Sequence, residues 1–176
     1  PDIDLAIVAG DIVNDNDEND FDWYISTKPS SYIQEWYEIA GNHDLRLNDG
    51  EGYKEKIRED FYYSFTKGNI LFILMSDEVG GKPTEISDET FEWWKNLVMN
   101  NQDKIIIVVT HAPLEGSGLP FSTHPDRQIK DSRRFAEVLK KYKVDMWFSG
   151  HLHIPHYLAG NIERKDKYNG TIFVNI

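Results

Sequence analysis

Six apolar runs punctuate the chain, each closing on glycine or a polar residue: IDLAIVAG (3–10), EWYEIAG (35–41), NILFILM (69–75), KIIIVVT (104–110), VDMWFSG (144–150) and TIFVNI (171–176). Short runs rich in Ile, Val and aromatics, bounded by turn residues, predict strands. Most lack a polar alternate position, so the sheets they form are expected to be covered by other layers on both faces. Between the runs the period changes. Ser87 precedes Asp88 and Glu89 in a first turn, and Phe91, Trp94, Leu97 and Val98 share one face, which predicts a helix capped at Ser87. Asp131 or Ser132 opens a second helix with the stripe Phe135, Val138, Leu139 and Tyr142, and Lys140, Lys141 and Lys143 gather at its carboxyl end, where the helix dipole favours cations. Strands alternating with helices predict an α/β layered domain. Two stretches read as loops: 14–22, dense in Asn and Asp, and 113–128, with Gly116, Gly118 and prolines at 113, 120 and 125.

The length of 176 residues suits a single domain spanning 1–176 with a core of its own. Thirty acidic against 19 basic residues give a net charge of −11, which disfavours a partner bound through a phosphate backbone, so no nucleic acid is expected. With no cysteine, thiolate metal sites are excluded, and any metal must be held by His, Asp, Glu, Asn or water. No apolar run approaches the roughly 18 residues of a membrane span, and the first residues do not read as a leader, so a soluble chain, cytoplasmic rather than membrane-bound, is expected.

The strand ends carry the chemistry. IVAGD ends in Asp11, EIAGNHD in Asn42, His43 and Asp44, VVTH in His111, and FSGHLH in His151 and His153. Any one of these residues reads as a turn residue or a satisfied polar group. Four strands, each delivering a metal-capable group at its carboxyl end, with glycines before Asp11, Asn42 and His151, predict one shared site for a divalent metal.

In this order the motifs resemble the calcineurin-like metallophosphoesterases, whose pattern runs D-x-H, G-D, G-N-H-D/E, H, and G-H-x-H. Gly10-Asp11, Gly41-Asn42-His43-Asp44, His111 and Gly150-His151-Leu152-His153 match the last four. The resemblance implies a four-layer α/β/β/α sandwich of two mixed sheets flanked by helices. It also implies metal-dependent hydrolysis of a phosphate ester by metal-activated hydroxide, with manganese, iron, zinc or nickel as the divalent ions. Asp11 would bridge two ions, Asn42, His111 and His151 would complete the second, and His153 would belong to the first. His43 would contact phosphate and act as general acid, oriented by Asp44 through its other ring nitrogen. The expected substrate is a small phosphodiester, including cyclic nucleotides, or a phosphomonoester. A tyrosine that purple acid phosphatases carry shortly after the G-D motif is absent.

The D-x-H motif has no counterpart. Asp2 and Asp4 share a D-x-D spacing, but Asp4 begins the strand that Asp11 ends and is roughly 23 Å away at ~3.3 Å per residue. An N-terminal strand and helix are therefore expected to be missing, leaving one firm metal site at Asp11, Asn42, His111 and His151. The exposed strand edge would favour self-association. A non-catalytic phosphate-binding or interaction module retaining a single metal site is the alternative reading.

Other features are discounted. The stretch Asp15 to Asp20 begins like a calcium loop, but position six is Asp20 instead of Gly and position twelve is Ser26 instead of Glu, so a solvated acidic loop at the cleft rim is expected. His124 and His156 read as a loop and a surface histidine, Arg127 as a candidate phosphate contact, and Asn175 as a structural residue near the site. Phe61, Tyr62, Tyr63, Trp93 and Trp94 are expected in the core.

Overall fold

The computed structural model describes residues 3–14, 18–46, 50–80, 84–155 and 157–176. All six predicted strands form: β1 (Leu5–Ala9), β2 (Glu35–Ile39), β4 (Ile70–Met75), β5 (Ile105–Thr110), β6 (Met146–Ser149) and β8 (Thr171–Asn175). Two further strands, β3 (Tyr62–Lys67) and β7 (Ile162–Lys165), were not predicted. β1 and β2 pair in parallel, and the second sheet runs β3-β4-β5-β6-β8-β7, parallel from β4 through β8 with an antiparallel strand at each edge.

The helices at Ser87 and Asp131 form as α3 (Asp88–Asn100) and α4 (Ser132–Leu139). The Ser87 side chain accepts the Thr90 N–H, satisfying a donor that the first turn leaves open. Asp131 occupies the N-cap of α4 in left-handed backbone without a side-chain cap. Two further α-helices, α1 (Glu18–Thr27) and α2 (Glu51–Lys56), complete the α-helices among the described residues. The expectation of a loop over 14–22 is thereby corrected, since the chain is helical from Glu18. Phe21, fully buried, supplies the anchor that the Asn and Asp around it hide in the sequence. Residues 15–17, part of the discounted calcium-like stretch, lie outside the described residues, as do Asp2 and His156.

Alternation along the central strands explains the layering. Leu71, Ile73, Met75, Ile106, Val108 and Trp147 face one way into a cluster with Trp94, Val98, Phe135 and Leu139 of α3 and α4. Their neighbours Phe72, Leu74 and Val109 face the other way and pack on Ala9 and Ile39 of the small sheet. A third cluster joins Val13, Ala40 and Leu45 to Phe21 of α1 and Tyr53 of α2. Helix, sheet, sheet, helix is thus the order of layers, and the strands of the middle are covered on both faces. Aromatic edges knit the larger core: Trp94 meets Phe135 at 4.9 Å and Trp147 at 5.7 Å. Of the aromatics expected in the core, Trp94 is fully buried, while Tyr62, Trp93, Tyr63 and Phe61 pack partly buried at its margins.

The two sheets are stitched at their carboxyl ends. Ala40 at the tip of β2 donates its N–H to Ser76 Oγ at 2.8 Å and accepts the Asp77 N–H at 2.9 Å, just beyond β4. Within the larger sheet, the Gly150 N–H, after β6, donates to the His111 carbonyl, after β5, at 2.8 Å. These bonds converge the strand tips on one point. Asp4 sits at the other end of β1, where its charge acts on Lys67.

Candidate metal centre

Three side chains delivered by three strands meet at that point. One ligand atom each from Asp11, His111 and His151 lies within 4.8 Å of the others. His111 is the hub. Its Nδ1 lies 2.7 Å from the Ala9 carbonyl, which fixes the ring and directs Nε2 inward, toward Asp11 Oδ2 at 3.2 Å, Asn42 Oδ1 at 3.2 Å and His151 Nδ1 at 3.1 Å. A backbone carbonyl that holds the outer nitrogen of a histidine is the usual orienting partner in metal sites. His151 is held the same way, its Nε2 3.2 Å from the Asp126 carbonyl.

Close approach of the backbones makes the convergence possible. Gly41 lies so near Asp11 that a Cβ there would fall 2.4 Å from Asp11 Oδ1 and 2.5 Å from Asp11 N. Gly10 has φ 85°, and a Cβ on it would lie 2.6 Å from His111 Nδ1. Asp11, His151 and His153 themselves adopt left-handed backbone, with φ of 53°, 65° and 51°. Outside glycine this conformation is uncommon, and Asp and His are among the residues that tolerate it.

The electrostatics fit a cation. Burial works against ionisation of Asp11, but the His111 hydrogen bond and charge and the His43 N–H overcome it and hold the carboxyl below its ordinary range. Burial likewise opposes charge on His111, and Asp11 and Asp77 outweigh it, so its pKa rises. His151 goes the other way, down to about 4, through burial and repulsion from His111. The cluster therefore presents a carboxylate and a neutral imidazole around one proton on His111, and a cation entering there takes the place of that proton.

The remaining expected residues fall around this cluster. Asn42 is buried with its amide oxygen turned to His111 Nε2. His153 lines the same open cleft as Asp11, His111 and His151, of about 360 Å³, but it is exposed and outside the three-residue cluster. His43 is half-buried and donates its backbone N–H to Asp11 Oδ1 at 3.0 Å. Its ring is oriented differently from expectation. Nδ1 lies 2.7 Å from the Asn14 carbonyl and Nε2 2.8 Å from Arg46 Nη2, so Asn14 and Arg46 hold the ring. Asp44, expected to orient it, is fully buried and accepts the Val13 N–H at 2.9 Å and the Gly41 N–H at 2.8 Å. Its carboxylate ties the turn after β1 to the turn after β2, because two backbone donors there need a buried acceptor more than His43 needs a second anchor. Burial raises its pKa to about 6 against the pull of those amides.

Some neighbours were missed in the sequence. Ala9, Asn14 and Asp126 act through backbone carbonyls, which leave no residue-type signal. Asp77 follows a strand as Asp11 does but was not singled out; it is buried, its Oδ2 has no hydrogen-bond partner, and burial lifts its pKa to about 7. Arg127, read as a phosphate contact, donates to the His151 carbonyl at 3.3 Å. Asn175 bridges to Asn161, donating to its side-chain oxygen at 3.1 Å, a structural contact at the end of β8.

The chain resembles known proteins in sequence and in fold. The chain is 28% identical over 173 residues to a probable cyclic nucleotide phosphodiesterase of Moraxella catarrhalis, covering 88% of this chain and 60% of that protein. It is 24% identical over 168 residues to probable purple acid phosphatase 20 of Arabidopsis thaliana, covering 85% of this chain and 38% of the plant protein. The chain thus spans less than two thirds of either relative. In fold it superposes on the crystal structure of a dimetal phosphatase from Danio rerio with a TM-score of 0.79 over 98% of this chain and 72% of that one, at 11% identity. Residues 1–155, which include every residue of the cluster, match the family described as calcineurin-like phosphoesterase, and the chain belongs to that family.

Proposed function

We propose that the chain hydrolyses a small phosphate ester, a phosphodiester ahead of a monoester, with a divalent ion held by Asp11, Asn42, His111 and His151. The observation that supports this reading is the convergence of an anionic oxygen, an amide oxygen and two oriented imidazoles on one point at the cleft. That donor set suits manganese, iron, zinc or nickel. Bound there, a divalent ion supplies charge neutralisation for the phosphate oxygens and lowers the pKa of water.

The chain's own residues account for the rest. Asp11 brings the one negative charge of the cluster, so the site stays electropositive toward phosphate once a cation is present. His43 is tied to Asp11 through its backbone N–H and lies beside Arg46, where a basic pair can receive a phosphate oxygen. As general acid His43 carries its transferable proton on Nε2, the atom Arg46 now faces, so the guanidinium must release that nitrogen before the proton moves to the leaving oxygen. The roles of Asp11 as a bridge and of His153 toward a further ion are carried by the family resemblance.

The similarity to a probable cyclic nucleotide phosphodiesterase favours a diester, and the net charge of −11 favours a small one. A single-metal binding module is the second reading, favoured by the exposure of His153 outside the cluster. Hydrolysis of bis(p-nitrophenyl) phosphate and p-nitrophenyl phosphate with and without manganese separates the two. Manganese-dependent turnover that disappears in His151→Ala is expected. Manganese binding without turnover of either ester would establish the binding module instead.

A further inference from the structure

A cavity of about 360 Å³ lies beside the cluster, lined by Phe121, His124, Asp126, Arg127 and Leu152. It adjoins the site through His151, whose ring meets the Asp126 carbonyl and whose own carbonyl accepts from Arg127. Leu152 follows His151 directly and is buried.

Phe121 is the unusual member. Its backbone has φ 62°, and its side chain is 66% exposed. A bulky residue in left-handed backbone is an outlier, and such strain concentrates at ligand-binding positions. Nothing in the core offsets it, because the ring is not in the core. Close by, Gly160 packs on Pro120, a Cβ there lying 3.3 Å from Pro120 Cγ, which brings the turn bearing the exposed Leu158 alongside the same loop.

The polar groups of the cavity are directional. The His124 Nδ1 accepts the Asp126 N–H at 3.3 Å, so the neutral ring carries its proton on Nε2 and can donate. The Asp126 carboxylate accepts, and the Arg127 guanidinium brings a positive charge. An alkyl chain would leave these three groups unused, and a bare sugar phosphate would leave Phe121 unused. A planar ring bearing both N–H donors and ring-nitrogen acceptors uses all of them.

We propose that this cavity binds the heteroaromatic ring of a nucleoside phosphate, stacked on Phe121, and so selects the non-phosphoryl part of the substrate. This rests on the phosphoesterase reading for the placement of the phosphate at the metal cluster. The ring's own recognition comes from residues outside that cluster.

Isothermal titration of the full chain with manganese, using adenosine 5′-monophosphate, ribose 5-phosphate, inorganic phosphate and adenosine as probes, tests it. The monophosphate is expected to bind about tenfold more tightly than ribose 5-phosphate, the scale of one base stacked on one ring. Phe121→Gly should reduce that ratio below about twofold and leave ribose 5-phosphate affinity unchanged, while Phe121→Tyr keeps the ratio. Glycine relieves the backbone strain, so the Phe121→Gly variant should melt no lower than the parent, which excludes misfolding as the cause. Equal binding of the two phosphates by the parent, or an undiminished ratio in Phe121→Gly, overturns the proposal. If neither phosphate binds, the phosphoesterase reading fails by itself. Adenosine then decides: binding lost in Phe121→Gly upholds the cavity, and no binding to the parent overturns it.

Discussion

Replacing Gly41 by alanine isolates how closely the two sheets must approach to build the metal cluster. The residue does not have left-handed backbone, so the change adds volume without conformational strain. The new methyl would lie 2.4 Å from Asp11 Oδ1, 2.5 Å from Asp11 N and 2.8 Å from His111 Cε1. Each distance is short of an ordinary contact of roughly 3.5 Å by more than half an ångström. The Asp11 nitrogen is backbone and cannot swing aside, so the turn bearing Asp11 must shift. Overpacking of this kind costs about 1–3 kcal/mol. In a chain of this size each kcal/mol lowers Tm by about 2–4 °C, giving a fall of about 2–12 °C. Because the clash falls on two members of the cluster, manganese affinity should drop on the order of 10–100-fold, as when a ligand loses its support. Gly150 is the matched control. It precedes His151 as Gly41 precedes Asn42, yet a Cβ on it meets nothing nearer than the Ala9 carbonyl at 3.4 Å, so Gly150→Ala should retain both Tm and affinity. Calorimetric titration with manganese and a thermal melt of the three proteins read both effects. Parental affinity in Gly41→Ala, or equal losses in the two variants, would refute the claim that steric room at Gly41 sets the ligand geometry.

Three further outcomes are expected. His43→Ala should lower ester hydrolysis on the order of 10²-fold or more while manganese affinity stays within about twofold, as measured by kinetics and titration; an equal loss of both would make His43 a support of the cluster and not an acid. His151→Ala should abolish tight manganese binding while His153→Ala changes it little, since only the former belongs to the buried cluster; the reverse order, seen by elemental analysis after gel filtration, would displace the site. Asp77 should make the metal-free fold less stable toward neutral pH. Burial lifts it from 3.8 to about 7, so between those values the folded chain holds a proton that the unfolded chain has released, and stability falls as pH rises through that window. Asp77→Asn removes the effect. Denaturant titrations in chelator should show the variant gaining on the parent from about pH 4 to 7 and keeping a constant margin above; parallel profiles would contradict it.

Among the strands that reach the cluster, β1, β5 and β6 were legible because each lies in a nearly continuous apolar run, although β1 pairs with β2 alone. β3 and β7 escaped because they alternate half-buried with exposed positions, so YYSFTK and IERK carry no continuous apolar run. The helix over Glu18–Thr27 escaped because its turn-forming Asn and Asp outweigh, in propensity, a docking contact made mainly by Phe21. At the site, residue types and order were enough to single out Asp11, His111 and His151, which the fold brings together, and Asn42, whose amide oxygen lies beside them, because only a few side chains offer the atoms a metal takes. The error over Asp44 has a physical origin. A carboxylate next to a histidine in sequence can turn toward it or toward nearby amides, and only the packing of two turns against one another decides which.

The left-handed backbone at Asp11, His151 and His153 has an evolutionary consequence. Glycine takes that conformation without steric cost, so at these three positions the replacement that deletes a functional group most completely is also the one the backbone accommodates best. A descendant released from any need for the ion could therefore lose it by single steps that leave the backbone of each turn unstrained. Its history would be readable as glycines at 11, 151 and 153 in an otherwise intact frame.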